Sequence, residues 1–324
     1  MPTQAEIRQQ ITDRIVETLQ AGTALWRRPW SNLENAGSPA NIVSKRSYTG
    51  VNALILPLVA SERGWSSRWW GTFRQWQELG FRIKPRPSHV KSGEWGTRVV
   101  FCKALARKQA HERSGKEDHG DDREHDSRSF LLRTYCVFHA EQVEGDGIER
   151  FLARPRTTTA FEDYRPAEEV IAATDARIEY GGNKAIYLPD EDFIRLPVRE
   201  SFESQHEFYA TSFHELGHWT GHQSRLNRLV KNARFGDRAY AFEELVAEIA
   251  GCFLCNEVGV PQSTKLENQT AYLASWLAVL QQDASAIFTA ASQASAAVDY
   301  ILAFSRRNDE ANDEDEATVA GVGG

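Results

Sequence analysis

The chain has 324 residues, 41% of them hydrophobic and 26% charged, with a formal net charge of −7. That length suffices for two domains of ordinary size, each with its own core. No stretch approaches the roughly 20 apolar residues of a bilayer span, residues 1–6 lack the charged and apolar regions of a secretory leader, and four scattered cysteines are too few for a disulfide framework. A soluble, cytoplasmic protein without a membrane partner is expected.

The charge is unevenly divided. Residues 1–105 hold 15 Lys and Arg against 7 Asp and Glu, an excess of +8 that leaves −15 for the remainder. Trp26, Trp30, Trp65, Trp69, Trp70, Trp76 and Trp95 lie in the same first third, with only Trp219 and Trp276 beyond it. A basic, indole-rich part joined to an acidic one points to a polyanionic partner for the first alone.

In chain order, Ile7, Ile11, Ile15, Val16 and Leu19 recur at helical spacing over residues 4–19, ended by Ala21 and Gly22. A loop follows in which Arg27 and Arg28 stand between Trp26 and Trp30, and residues 44–50 repeat the mixture with Lys45, Arg46 and Tyr48. Residues 50–63 read as a helix, residues 69–76 carry three indoles and Arg74, Arg82 and Lys84 flank a turn, and strands are expected at 97–104 and 130–138. This makes the first domain, residues 1–150, α+β. Cations among exposed rings suit single-stranded nucleic acid, because the cations neutralise phosphates while any base can stack on a ring. Trp26, Arg27, Arg28, Trp30, Lys45, Arg46, Tyr48, Arg74, Arg82 and Lys84 are the candidate contacts. Trp69, Trp70 and Trp76 fit either a core or a stacking surface. The polar run 107–128, with His111, His119 and His125, reads as a mobile insertion.

Residues 153–159 read as a linker to a second domain, residues 160–305. A helix is expected near 166–173, short strands at 177–182, 184–188 and 192–197, and helices at 273–280 and 284–304. The acidic end, residues 306–324, is expected to be a disordered tail. Cys252 and Cys255 sit in an apolar helical run and read as core thiols.

Residues 214–222, His-Glu-Leu-Gly-His-Trp-Thr-Gly-His, contain the H-E-x-x-H pattern of zinc-dependent hydrolases. Positions i and i+4 share one helix face, so His214 and His218 can hold one metal ion while Glu215 acts as general base on a nearby water. Catalytic zinc sites commonly add a carboxylate. On the downstream helix Glu244 and Glu248 lie one turn apart, and the expected roles are Glu244 as third ligand and Glu248 as the carboxylate that orients a ligand histidine from behind. Glu243, about 100° around that helix, is expected in solvent. Gly221 should end the first helix, which leaves His222 at the pocket edge. Zinc is the default for such donors, with manganese also admissible. The arrangement is α+β and zincin-like, and an edge strand above the site offers backbone pairing to an extended substrate.

These residues resemble the ArdC family of plasmid antirestriction proteins. The likeness in the first part runs through Trp26, Trp30, the Tyr48-Thr49-Gly50-Val51-Asn52 run, residues 70–75 and residues 137–142. In the second it runs through Ala185-Ile186-Tyr187, residues 214–222, Ser224-Arg225-Leu226-Asn227-Arg228 and residues 240–248. The resemblance implies a single-stranded-DNA-binding domain of the kind found in TraC-type plasmid primases, followed by a metallopeptidase-like domain, in a protein that shields incoming DNA from restriction. The insertion 107–128 departs from the family, as does His139, where asparagine is usual. Two other readings keep the fold: a DNA-dependent metalloprotease cutting a host or regulatory protein, and a DNA-binding protein whose metal is purely structural.

Overall fold

In chain order the computed structural model describes residues 3–21, 33–104, 130–155, 164–230, 237–262 and 270–321. The expected insertion 107–128 and the candidate contacts Trp26, Arg27, Arg28 and Trp30 lie outside these residues. The first domain comprises α1 (Gln4–Gln20), β1 (Leu33–Glu34), β2 (Ala40–Asn41), α2 (Asn52–Glu62), β3 (Trp69–Thr72), α3 (Phe73–Glu78), β4 (Arg82–Ile83), β5 (Thr97–Ala104), β6 (Phe130–His139), β7 (Val143–Glu144) and β8 (Arg154–Pro155). The second comprises α4 (Arg165–Ala173), β9 (Arg177–Tyr180), β10 (Ile186–Leu188), β11 (Phe193–Leu196), α5 (Gln205–Thr220), α6 (Arg238–Val258), α7 (Thr270–Gln282) and α8 (Ala286–Gly321). The chain is a two-domain α+β protein.

The central sheet of the first domain has the order β2-β3-β6-β5, with β2 and β3 parallel and the other neighbours antiparallel. β8 pairs with β1, so the start of the expected linker belongs to the first domain. Helix α1 begins with a capping box: the Thr3 hydroxyl accepts from the Glu6 amide at 3.2 Å, and the Glu6 carboxylate accepts from the Thr3 amide at 2.6 Å. Helix α2 is apolar on every side because it is sandwiched. Leu54 and Leu58 face one core, while Ile55, Leu56 and Val59 face another that includes Trp70, Val99, Val100 and Val137. At its start the Asn52 side chain donates to the Val100 carbonyl at 2.7 Å and accepts from the Val100 amide at 2.8 Å, fastening helix to strand.

Trp70 and Trp76 are fully buried, so for these two the core reading holds. The indole N–H of Trp76 donates to the Phe138 carbonyl at 3.0 Å and that of Trp95 to the Lys84 carbonyl at 3.0 Å. His139 is a core residue as well. Its ring stacks on Trp65 at 4.9 Å, and its Nε2 lies 2.6 Å from the Ser67 carbonyl.

The two domains do not keep separate cores, as their lengths had suggested. Ile15 and Leu19 of α1 and Leu54 and Leu58 of α2 join the same buried cluster as Phe213, Leu245, Ile249, Trp276 and Ile301 of the second domain. Polar bonds edge this junction: Thr12 donates to the Ala284 carbonyl at 2.8 Å, the Gly50 amide to the Ser295 hydroxyl at 2.9 Å, and the Ser47 hydroxyl to the Glu257 carboxylate at 3.2 Å.

In the second domain β10 runs antiparallel to β11, which is parallel to β9, in the order β10-β11-β9. Helices α5 to α8 pack beneath. The acidic end, expected as a tail, instead continues α8 to Gly321; its Glu and Ala residues are good helix formers, and acids dispersed along the sequence do not stop a helix already under way. Within α8, residues Ala286–Arg307 have the length and composition of a membrane span, which the sequence reading did not anticipate. Ala290, Ala291, Ala294, Ala297 and Ile301 are buried in the shared core.

Helices α5 and α6 touch backbone to backbone. A Cβ on Gly251 would lie 3.0 Å from the His214 amide nitrogen, and one on Gly217 would lie 3.1 Å from the Ala247 Cα. A Cβ at either position would press on backbone atoms, which can yield only if the two helices separate by a few tenths of an ångström. Gly251→Ala should therefore push α6 away from the histidine helix, destabilising the protein by about 1–3 kcal/mol. A melting temperature lowered by roughly 3–8 °C would register it; an unchanged value would show that the helices have slack.

Candidate metal centre

Helix α5 begins at Ser204, whose hydroxyl accepts from the Glu207 amide at 3.2 Å, and stops at Gly221. His214 and His218, one turn apart, bring their Nε2 atoms within 3.2 Å of each other. Glu244 of α6 reaches both, its carboxylate oxygens lying 3.5 Å from His214 Nε2 and 3.6 Å from His218 Nε2. Tetrahedral bonds of about 2.0–2.1 Å put ligand atoms about 3.3–3.4 Å apart, so these three donors already stand at ligand spacing.

The surrounding charge favours a cation. His214 Nδ1 lies 3.8 Å from the Glu248 carboxylate, and His218 Nδ1 lies 3.3 Å from that of Glu243. Burial opposes charge on the two imidazoles, yet the carboxylates outweigh it: the His214 pKa stands well above its ordinary value and that of His218 is raised to about 9. Burial works against ionised Glu244 too, but the two histidines hold its pKa well below the usual carboxylate range. Donor set, spacing and field thus fit one divalent ion held by His214, His218 and Glu244. Glu215 is buried beside His214 and makes no hydrogen bond to a described residue.

Glu243 corrects the sequence reading. It is not in solvent: its side chain is 13% exposed and is gripped by Arg228, 5% exposed, through Nε at 3.0 Å and Nη2 at 2.9 Å. Arg228 also donates to the Gly217 carbonyl at 2.6 Å and the Thr220 hydroxyl at 2.8 Å. The helical angle was right, but the loop after α5 lies on that flank of α6 and fills what would otherwise be solvent. Glu248 does stand behind His214, and the Cys252 thiol donates to it at 3.4 Å.

His222 lies past the helix end, with Nδ1 2.7 Å from the Ser224 hydroxyl and 4.0 Å from Asp192, and takes no part in the donor triangle. Its neighbour Arg225 donates to the Asp192 carboxylate with two nitrogens, one at 3.0 Å, and to the Tyr187 hydroxyl at 3.1 Å and the Trp219 carbonyl at 2.6 Å. This ties the β10–β11 turn to the exit of the histidine helix. The hydrogen bonds from Arg225 hold the Asp192 pKa at about 2. Because the folded pKa is depressed, the carboxylate stabilises above the unfolded value of about 3.9, and that contribution is lost progressively as pH falls through about 2. The side chain is 37% exposed, so screening limits it to about 1 kcal/mol. Asp192→Asn, which tolerates the left-handed φ of 52°, should lower the melting temperature by roughly 2–3 °C at pH 7 and by clearly less at pH 2, where the folded-state carboxylate is about half protonated. An undiminished difference at pH 2 would contradict the ion pair.

In the first domain Lys45 and Arg46 are exposed on the loop after β2. Tyr48 is held against the core, its hydroxyl 3.3 Å from the Asn41 amide. Arg74 pairs with Glu78 at 2.7 Å and Lys84 donates to the Glu141 carbonyl at 3.0 Å; neither shares a partner with Lys45. Lys45 lies over the rings of Trp69 and Phe151. Arg68, Arg150 and Phe151, which complete that cluster, carry no motif that sequence could flag.

The fold and the donor triangle define a zincin-like metallopeptidase domain set behind a basic α+β domain. Residues 165–293 match the zincin-like metallopeptidase family and residues 5–138 match the N-terminal domain of anti-restriction factor ArdC. The crystal structure of the antirestriction ArdC protein from the R388 plasmid, metal-free, is 35% identical with a TM-score of 0.70, over 93% of this chain and 98% of that one. Its Mn(II)-bound form is 33% identical with a TM-score of 0.68, over 92% and 97%. An uncharacterized protein of Sinorhizobium fredii, y4eC, is 34% identical over 93% of both chains. DNA primase TraC of Escherichia coli is 35% identical over 92% of this chain, which spans 27% of the primase. The chain belongs to the ArdC family of antirestriction proteins.

Proposed function

We propose that the protein binds single-stranded DNA through its first domain, protects incoming plasmid DNA from host restriction in the cytoplasm, and carries in its second domain a divalent metal centre of peptidase type. The observation that carries the metal reading is the donor triangle of His214, His218 and Glu244. The Mn(II)-bound relative supports manganese beside zinc as the occupant. The basic charge of residues 1–105 and the likeness to a DNA primase support the nucleic-acid partner.

One feature favours hydrolysis over a purely structural ion. A structural site closes its coordination with four protein ligands, whereas a catalytic one keeps a position open; among the described residues three donors converge and a fourth does not. When bound, the cation would lend Lewis acidity to water and to a peptide carbonyl. Glu215, buried beside His214 and free of hydrogen bonds to described residues, would take a proton from the attacking water and pass it to the leaving amine as the C–N bond breaks. Glu248 and Glu243 fix the two imidazole rings from behind.

Glu215→Gln separates the readings. If proteolysis is part of the function, the variant loses turnover of candidate protein substrates by about 100-fold or more while metal and oligonucleotide binding persist. Retained turnover would remove Glu215 from the chemistry, and retained DNA protection without turnover would make protection independent of it.

A further inference from the structure

Three cations in the first domain are held by ring faces instead of carboxylates. The Lys45 ammonium sits 4.5 Å from the Trp69 ring centre and 5.3 Å from that of Phe151. The Arg68 guanidinium lies 5.5 Å from Trp69, and that of Arg150 lies 4.8 Å from Phe151 and 5.9 Å from Phe81. None of the three forms an ion pair with a described carboxylate. A ring face holds a cation without cancelling its charge.

Burial, and after it the neighbouring Arg150, depress the Lys45 pKa, so a second cation stands near the ammonium. Lys45 also adopts a left-handed φ of 59°, uncommon for a lysine. The turn is enforced from Asn41, whose side-chain oxygen accepts from the Val43 and Ser44 amides at 3.1 and 3.0 Å and whose carbonyl accepts from the Lys45 amide at 2.9 Å. An anion bound at this exposed spot would offset the neighbouring positive charges and the strained turn together. Arg68 is fixed by the Ser38 carbonyl at 3.0 Å and reaches the Ser47 hydroxyl at 3.4 Å, which itself bonds Glu257 at the end of α6. The spot therefore adjoins the helix that carries Glu243, Glu244 and Glu248.

We propose that Lys45, Arg68 and Arg150, seated on Trp69 and Phe151, form a phosphodiester-binding site that takes the backbone of a single strand at the junction of the two domains. This rests on the reading of the first domain as a nucleic-acid binder and adds Arg68, Trp69, Arg150 and Phe151 to it. The test is titration of a fluorescein-labelled single-stranded oligothymidylate against the full chain at several salt concentrations. Lys45→Gln and Arg150→Gln together should weaken binding about 10- to 30-fold near 0.1 M salt and shallow the log–log salt slope by about 0.7 for each cation removed. Arg177→Gln, which removes an exposed cation on β9 of the second domain, should leave both affinity and salt slope unchanged. Melting temperatures of the variants within about 2 °C of the parent exclude misfolding as the cause.

If the parent binds the strand and the double variant keeps both affinity and slope, this site is wrong while the nucleic-acid reading stands. If the parent does not bind the strand at all, both fall. Displacement of the strand by polyglutamate as readily as by unlabelled oligonucleotide would assign the cluster to an acidic protein, and displacement by inorganic phosphate at equal ionic strength would assign it to the free ion; either overturns the proposal.

Discussion

Glu244→Ala is expected to abolish tight divalent-cation binding, with a loss of at least about 100-fold, beyond the range for removing a partner that stands behind a ligand. Without Glu244, two imidazoles 3.2 Å apart face each other with no donor bridging their Nε2 atoms. Competition against a chromophoric chelator measures the loss directly. A second readout does not depend on activity. Metal at about 100 times its dissociation constant should stabilise the parent by about 2.7 kcal/mol, and the same addition should leave the variant's melting temperature unmoved. Binding within a few-fold of the parent would show that the ion, if any, sits elsewhere.

Arg228→Ala should have the next largest effect, through two separable routes. Removing the guanidinium strands the Glu243 carboxylate, 13% exposed, between α5 and α6, and breaking a buried pair on one side destabilises by about 3–5 kcal/mol. It also frees Glu243 from the geometry that presents it to His218 Nδ1 at 3.3 Å, so metal affinity should fall by about 10- to 100-fold. Arg228→Lys keeps the charge but not the two-pronged grip, and should fall between the two. Chemical denaturation of the metal-free protein reports the first route and chelator competition the second. Unchanged metal affinity in a folded Arg228→Ala protein would make the arginine purely structural.

The donor triangle was legible in the sequence because its parts obey helical spacing. His214 and His218 share a face by the i, i+4 rule, and so do Glu244 and Glu248, which the structure sets against both rings and behind His214 respectively. The same rule failed at Glu243, since a helical angle says where a side chain points but not which loop comes to meet it. The Arg225 and Arg228 run, legible only as part of a family likeness, has a physical meaning in three dimensions: one arginine ties down the β10–β11 turn and the other orients a ligand histidine through a carboxylate.

In the first domain, helix α2 gave its apolar length but not its sandwiched position, because an all-apolar helix does not say what lies on either side. Trp70 and Trp76 satisfy a core as well as they would stack a base, and composition alone cannot separate those uses. The cation cluster on Trp69 and Phe151 draws on residues 45, 68, 69, 150 and 151, spread over more than 100 positions of sequence and joined only by the fold. Likewise the alanine-rich α8 serves a core shared by both domains, an arrangement hidden from a reading that treats each domain by itself.

The central claim is a single divalent ion held between α5 and α6. Calorimetric titration of the metal-stripped protein with Mn(II), and separately with zinc, tests it most directly when run beside His218→Ala and Glu244→Ala. The account predicts one site per chain in the parent and none in either variant. Equal stoichiometry and affinity in parent and variants, or no binding by the parent, would contradict it.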